Sequence, residues 1–191
     1  HSCLICGKIS DLCINGCRVC KRCLSRVNPV NCDKRWHLCL SEPYSEDKYP
    51  KLPLFVPFGY QNEITSMVYG LKFGGKPQLG TLMGSMLGEV MAREGITADL
   101  VVPIPLSDKR FKERGYNQAG LIAMEVARKC DLPYVSDILL RNRNTNKQAE
   151  CKSNEERYKN IMGAFNVNDT WDIEGLKIIL VDDVVTTGST M

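Results

Sequence analysis

The last fifteen residues, Lys177 to Met191, read KIILVDDVVTTGSTM and constrain the fold more than any other stretch. Ile178 to Val181 is an unbroken apolar run, which predicts a central strand of a parallel sheet, buried on both faces. Asp182 and Asp183 follow at once. Both carboxylates therefore stand at the carboxyl end of a strand, the edge where open α/β sheets bind ligands. Thr186, Thr187, Gly188, Ser189 and Thr190 then offer hydroxyls, backbone N–H groups and a glycine that lets the backbone approach an anion. A helix beginning at Ser189 would add its amino-terminal field. Two acids followed one turn later by a phosphate cradle describe a ligand with a sugar diol at one end and a phosphate at the other. Acids after a strand also cap helices, but the ordered set of strand, acids and hydroxyl–glycine turn argues against so local a role.

The ungapped block VDDVVTTGST resembles the signature of the type I phosphoribosyltransferases, whose ligand is phosphoribosyl pyrophosphate (PRPP) with Mg²⁺. The resemblance implies that Asp182 and Asp183 are the catalytic pair holding the ribose 2′ and 3′ hydroxyls. It also implies that Thr186, Thr187, Gly188, Ser189 and Thr190 hold the 5′-phosphate.

At the other end of the chain, eight of the ten cysteines fall at positions 3, 6, 13, 17, 20, 23, 32 and 39. Cys3-x2-Cys6 and Cys20-x2-Cys23 are two knuckles separated by thirteen residues, the spacing of a four-cysteine zinc ribbon. A stretch this short and polar cannot bury enough surface to fold by itself, and Zn²⁺ would supply the missing free energy. Cys13, Cys17, Cys32 and Cys39, with His37, offer irregular spacings for a second site. A redox-active or disulfide-bonded cluster is the alternative, disfavoured because no core surrounds the pairs.

With 191 residues, 43% hydrophobic and 25% charged, the chain can bury a real core as one domain with an appendage. The formal charge of +3 is amino-terminal, since residues 51–191 carry seventeen basic and seventeen acidic side chains. Four thiolates around Zn²⁺ would offset most of that excess, so charge alone is weak support for a nucleic-acid partner. No apolar run reaches membrane-spanning length and no signal peptide opens the chain, which predicts a soluble cytoplasmic protein without membrane insertion. His1 in place of Met and an end at Met191 both predict a fragment, and the helix due after the phosphate turn predicts at least one helix and a further strand beyond Met191.

Between these ends, residues 1–40 read as the ribbon and the Pro- and charge-rich 41–53 as a linker. Residues 54–191 read as an α/β domain: a mostly parallel sheet flanked by helices. Leu54 to Tyr60, with Pro57 inside it, suits an edge strand. Asn62 to Lys72 and Leu79 to Arg93 have helical periodicity; glycines close the first, and the methionines of the second face the core. Asp99 to Ile104 is a second buried strand. Just past it, Lys109, Arg110, Lys112 and Arg114 are expected in a loop where cations can offset a pyrophosphate, unless they form an ordinary solvated loop. Leu121 to Arg128 is an amphipathic helix and Ile138 to Leu140 a strand. The polar residues after it read as a loop able to close over the site. A capping box at Ser153 and Glu156 follows, and Phe165 to Val167 returns to the sheet.

Taken together, CLIC, CKRCLSRVNP, LKFGG, VVPIPLSDKRFKERGYNQA, the set Arg141, Arg143, Thr145 and Gln148, then Glu156-Arg157, Asn160 and Gly163-Ala164-Phe165 resemble the ComF family of competence proteins. These join an amino-terminal zinc ribbon to a type I phosphoribosyltransferase-like domain. The resemblance implies a role in DNA uptake and natural transformation, with PRPP, single-stranded DNA and other uptake proteins as partners. It leaves two readings open. One is a Mg²⁺-dependent phosphoribosyltransferase acting on a nucleobase or DNA-linked acceptor. The other is a non-catalytic DNA-binding or adaptor protein on the same scaffold. Both histidines lie at positions 1 and 37, so a reaction at the acid pair would proceed without an imidazole base.

Overall fold

The computed structural model describes residues 1–14, 16–29, 36–38, 52–141 and 164–185. The amino-terminal segment forms β1 (Cys13–Ile14), β2 (Cys17–Arg18) and the short helix α1 (Lys21–Ser25). Two more short strands, β3 (Trp36–Leu38) and β4 (Leu52–Leu54), pair antiparallel. Helices α2 (Asn62–Phe73) and α3 (Gln78–Arg93) follow, then β5 (Leu100–Pro103), α4 (Asp108–Arg114) and α5 (Gln118–Cys130). The described chain ends with β6 (Leu139–Arg141), β7 (Phe165–Val167) and β8 (Ile178–Val181).

The apolar runs behave as their composition demands. β5 is buried along its length and pairs parallel with β8, Leu100 opposite Ile178 and Pro103 opposite Val181. On its other side, β5 makes a parallel bridge from Val101 to Tyr134. Side chains alternate between two cores with the strand period of two. Val101 and Val181 join the larger cluster with Met67, Leu71, Leu79, Ile122 and Val126; Leu100 and Val102 join Ile138 on the opposite face. β8 departs from the expected double burial: Leu180 is 39% exposed, because this strand has β5 on one side and no second partner among the described residues.

Helices α3 and α5 pack closely because small residues line the seam. A Cβ on Gly84 would lie 2.5 Å from the Ile122 carbonyl oxygen, and one on Gly80 or Gly88 would lie 2.6 or 2.7 Å from the Cβ of Leu121 or Lys129. Only a residue without a side chain fits at such separations. In α3, Leu79, Leu82, Val90 and Met91 are buried, and Met83 and Met86 pack against the same core. The methionines therefore do serve the interior.

Several expectations change. The four cations past β5 lie in or at the ends of a helix, not a loop. The Ser107 hydroxyl caps it by accepting from the Arg110 amide, and Gly115 ends it at φ 79° with its N–H donating to Phe111. β7 pairs antiparallel with β6, Leu139 opposite Val167, and joins no parallel strand among the described residues. Among the described residues the architecture is therefore mixed α/β, with one parallel pair and small antiparallel annexes. The proline-containing strand lies over Pro53, not Pro57, in a two-stranded ladder where a missing N–H is tolerated. No helix among the described residues is long and apolar enough to cross a membrane. The remainder of the 41–53 segment, the closing loop and capping box, and Thr186 to Thr190 lie outside the described residues.

Candidate functional site

The first candidate is the cysteine cluster. Gly7, at φ 76°, closes the first knuckle by donating its N–H to the Cys3 carbonyl. In the second, Cys20 caps α1 and its sulfur accepts from the Cys23 amide. The two knuckles meet: the Cys20 amide donates to the Cys3 sulfur at 3.3 Å, and the Cys6 and Cys20 sulfurs lie 3.8 Å apart. The ligand atoms of Cys3, Cys6, Cys20 and Cys23 all lie within 4.8 Å of one another. A tetrahedron with ~2.3 Å Zn–S bonds has an edge of about 3.8 Å, so the four can hold a structural metal ion, with zinc the natural fit. Burial alone would raise the Cys3 thiol, but amides of Cys6, Cys20 and Ile5 outweigh it and bring the thiol down to about 6. That favours the thiolate a metal requires.

Cys13 and Cys17 belong to no metal-holding group among the described residues. Cys17 is fully buried and donates its S–H to the Gln78 carbonyl at 2.9 Å. Burial, then Cys13, push its thiol up to about 11, so it acts as a protonated anchor between ribbon and α3. Cys32 and Cys39 lie outside the described residues. Two further contacts tie the ribbon down: Lys76 donates to the Leu4 carbonyl at 2.8 Å, and Arg26 pairs with Glu63 at 3.1 Å.

The second candidate is a cleft of about 140 Å³ at the carboxyl ends of β5 and β8. At roughly 10–15 Å³ per water it has room for on the order of ten waters, or the polar part of a small ligand. The parallel register delivers Asp182 and Asp183 here, beside the Ile104 to Leu106 turn. Asn117 fixes that turn by donating to the Ile104 carbonyl at 3.0 Å. Gln118, fully buried, accepts from Arg114 at 2.8 Å. Lys72, Arg110, Arg114 and Arg141 converge on the same cleft, so four cations face two carboxylates.

The two acids differ in environment. Asp183 pairs with Lys72 at 2.9 Å. Asp182 makes no ion pair among the described residues; it accepts the Asp183 amide at 2.8 Å. Burial, then the charge of Asp183, push the Asp182 carboxyl up to about 6. Burial, then Arg110, lower the Arg114 and Arg141 guanidiniums from their ordinary range. Arg141 lies over the Phe165 ring at 5.2 Å, and its Nε is buried without a hydrogen-bond partner among the described residues. A crowded set of cations with an unsatisfied donor suits an anionic ligand.

Of the four cations expected at a pyrophosphate, Arg110 and Arg114 line the cleft, whereas Lys109 and Lys112 lie outside its walls, Lys109 pairing with Glu113 at 3.8 Å. Lys72 and Arg141 were not expected there. Neither periodicity nor spacing marks them, because α2 and β6 bring them in from distant parts of the chain.

No family model matches the chain. It is 34% identical over 94 residues to Competence protein F of Haemophilus influenzae, covering 49% of this chain and 41% of the relative. It is 31% identical over 137 residues to the DNA utilization protein YhgH of Salmonella typhi, covering 69% and 59% respectively. It is also 37% identical over 92 residues to Competence protein ComFC of Bacillus subtilis, covering 48% and 35%. The chain thus spans between about a third and three-fifths of these relatives' lengths. Their names support the resemblance to the ComF family.

Proposed function

We propose that this is a ComF-type competence protein whose cleft binds PRPP with Mg²⁺ and which acts in the cytoplasm during DNA uptake, with single-stranded DNA and uptake proteins as partners. The observation that carries this reading is the convergence of Asp182 and Asp183 with Lys72, Arg110, Arg114 and Arg141 at the carboxyl end of a parallel strand pair. A carboxylate pair accepts hydrogen bonds from a ribose diol. Arginines bind pyrophosphate oxygens bidentately. Thr186 to Thr190, next in the chain, are assigned to the 5′-phosphate. Residues 1–40, 41–53 and 54–191 are assigned as ribbon, linker and phosphoribosyltransferase-like domain.

Asp182 carries a half-buried carboxylate without an ion-pair partner among the described residues, and this fits a bound cation. Asp182 and Asp183 would hold Mg²⁺, which when bound would supply positive charge to offset that of the leaving pyrophosphate. Asp182 and Asp183 orient the ribose, while Arg110, Arg114 and Arg141 stabilise departing pyrophosphate. In a transfer reaction the ribose C1–O bond to pyrophosphate breaks as the acceptor bonds to C1, pyrophosphate leaves with the electron pair, and the acceptor's proton passes to water or a carboxylate.

Calorimetric titration of PRPP with Mg²⁺ into the zinc-loaded chain tests the reading. Saturable binding that is lost in Asp182→Asn/Asp183→Asn is expected. Absence of binding by the folded wild type refutes the pocket assignment and leaves the scaffold to an adaptor role. Pyrophosphate release on adding a nucleobase or oligonucleotide acceptor would distinguish an enzyme from a binding protein.

A further inference from the structure

Beside the cleft, but outside its lining, α2 exposes two aromatic rings. Tyr69 is 64% exposed and Phe73 67%. They stand one helical turn apart with ring centroids at 5.3 Å, tilted by 49°. Burial of such rings is worth more than that of most side chains, so leaving two together in water is a cost that packing does not explain. The Arg114 guanidinium lies over the Phe73 ring at 5.4 Å while also lining the cleft. Phe111, 51% exposed, sits three residues before Arg114 on α4, which places the two on neighbouring rows of that helix. A strip of two rings and the Arg114 guanidinium thus stands at the cleft mouth, with Phe111 one turn from Arg114 on α4.

We propose that Tyr69, Phe73 and Arg114, with Phe111 beside Arg114 on α4, form a stacking platform for single-stranded nucleic acid at the mouth of the cleft. Exposed rings offer π-faces to bases, and interleaved cations offer charge to the phosphates between them. A free nucleobase is a poorer occupant. Small-molecule sites enclose most of their ligand, whereas this strip is open and extends beyond one ring. A strand gains from successive stacks and several phosphates. A duplex hides its base faces and cannot use the rings. The proposal deepens the reading of a single-stranded DNA partner and rests on it for the class of that partner.

The test is fluorescence anisotropy of a labelled oligothymidylate of about 20 nucleotides with the zinc-loaded chain at low and moderate salt. Tyr69→Ala and Phe73→Ala are each expected to weaken binding by about 5- to 100-fold. Arg114→Gln is expected to reduce the salt slope by about one. Met124→Ala, an exposed apolar residue on α5, serves as the control and is expected to bind as wild type. A blunt duplex of equal length is expected to bind more weakly than the single strand. Wild-type binding that survives both alanine substitutions, or equal affinity for the duplex, overturns the platform while leaving the partner class intact. No wild-type binding overturns both. Because the rings are solvent-exposed, the variants are expected to keep the wild-type melting temperature; a fall of several degrees would show instead that the rings serve the fold and overturn the proposal.

Discussion

Asp182→Asn isolates the electrostatic cost of the acid pair. Burial and the charge of Asp183 raise the Asp182 carboxyl from its ordinary 3.8 to about 6. At ~1.36 kcal/mol per pH unit, the gap amounts to about 3 kcal/mol of native-state destabilisation once the group is fully ionised. The folded protein holds this proton more tightly than the unfolded chain does. The favourable contribution is therefore complete below 3.8, declines as pH rises between the two values, and is gone above about 6. Asparagine retains an oxygen to accept the Asp183 amide, 2.8 Å away, and never ionises. The variant should thus be more stable than wild type by about 3 kcal/mol at pH 8, and by about 1.5 kcal/mol at pH 5. Urea denaturation of both zinc-replete proteins, followed by far-UV circular dichroism at the two pH values, measures these gains. The pH dependence of the ribbon is common to both and cancels in the difference. An unchanged stability at pH 8, or the same gain at both values, would refute the reasoning.

Two further outcomes follow from the packing. Gly84→Ala drives a Cβ to 2.5 Å from the Ile122 oxygen and should lose about 1–3 kcal/mol. Gly120→Ala meets nothing closer than 3.4 Å and should hold stability or add up to about 1 kcal/mol through helix propensity; scanning fluorimetry giving the reverse order contradicts the account of the helix seam. Removing the metal with a chelator should lower the melting temperature by about 5–10 °C, since a metal at ~100 times its Kd contributes ~2.7 kcal/mol and each kcal/mol moves a chain of this size by ~2–4 °C. The ribbon cysteines share a core with Met67, Leu71 and Leu79, so the loss should appear in the helical signal too. An unchanged melting temperature, or less than half an equivalent of zinc in protein purified without chelator, counts against the site.

Much of the fold was legible where one local rule dominates. The apolar runs at Leu100–Pro103 and Ile178–Val181 form the parallel pair, and α2, α3 and α5 follow apolar positions with turn-like spacing. The knuckles were equally plain, because CxxC spacing is itself the geometry of a metal corner. α4 is hidden in the sequence because its cations look like a solvated loop, although Ser107 and Gly115 supply the two caps. The antiparallel pairing of β6 and β7 was not legible, since strands of three residues do not encode their partner. Spacing also cannot separate a ligand cysteine from Cys17, whose role depends on the carbonyl of Gln78 across the fold. Lys72 and Arg141 reach the cleft only through tertiary structure.

The glycine seam holds the cleft in shape from a distance. α5 begins at Gln118, and its first residues form the floor of the cleft, where Gln118 orients Arg114 and Asn117 holds the Ile104 turn. The height of that floor is set by how near α5 can lie to α3, and hence by atoms missing from Gly80, Gly84 and Gly88. One added carbon spans ~1.5 Å, several times the ~0.5 Å within which a working site must be held. A substitution at any of these three positions, none of which lines the cleft, would therefore reach the cleft through the placement of α5.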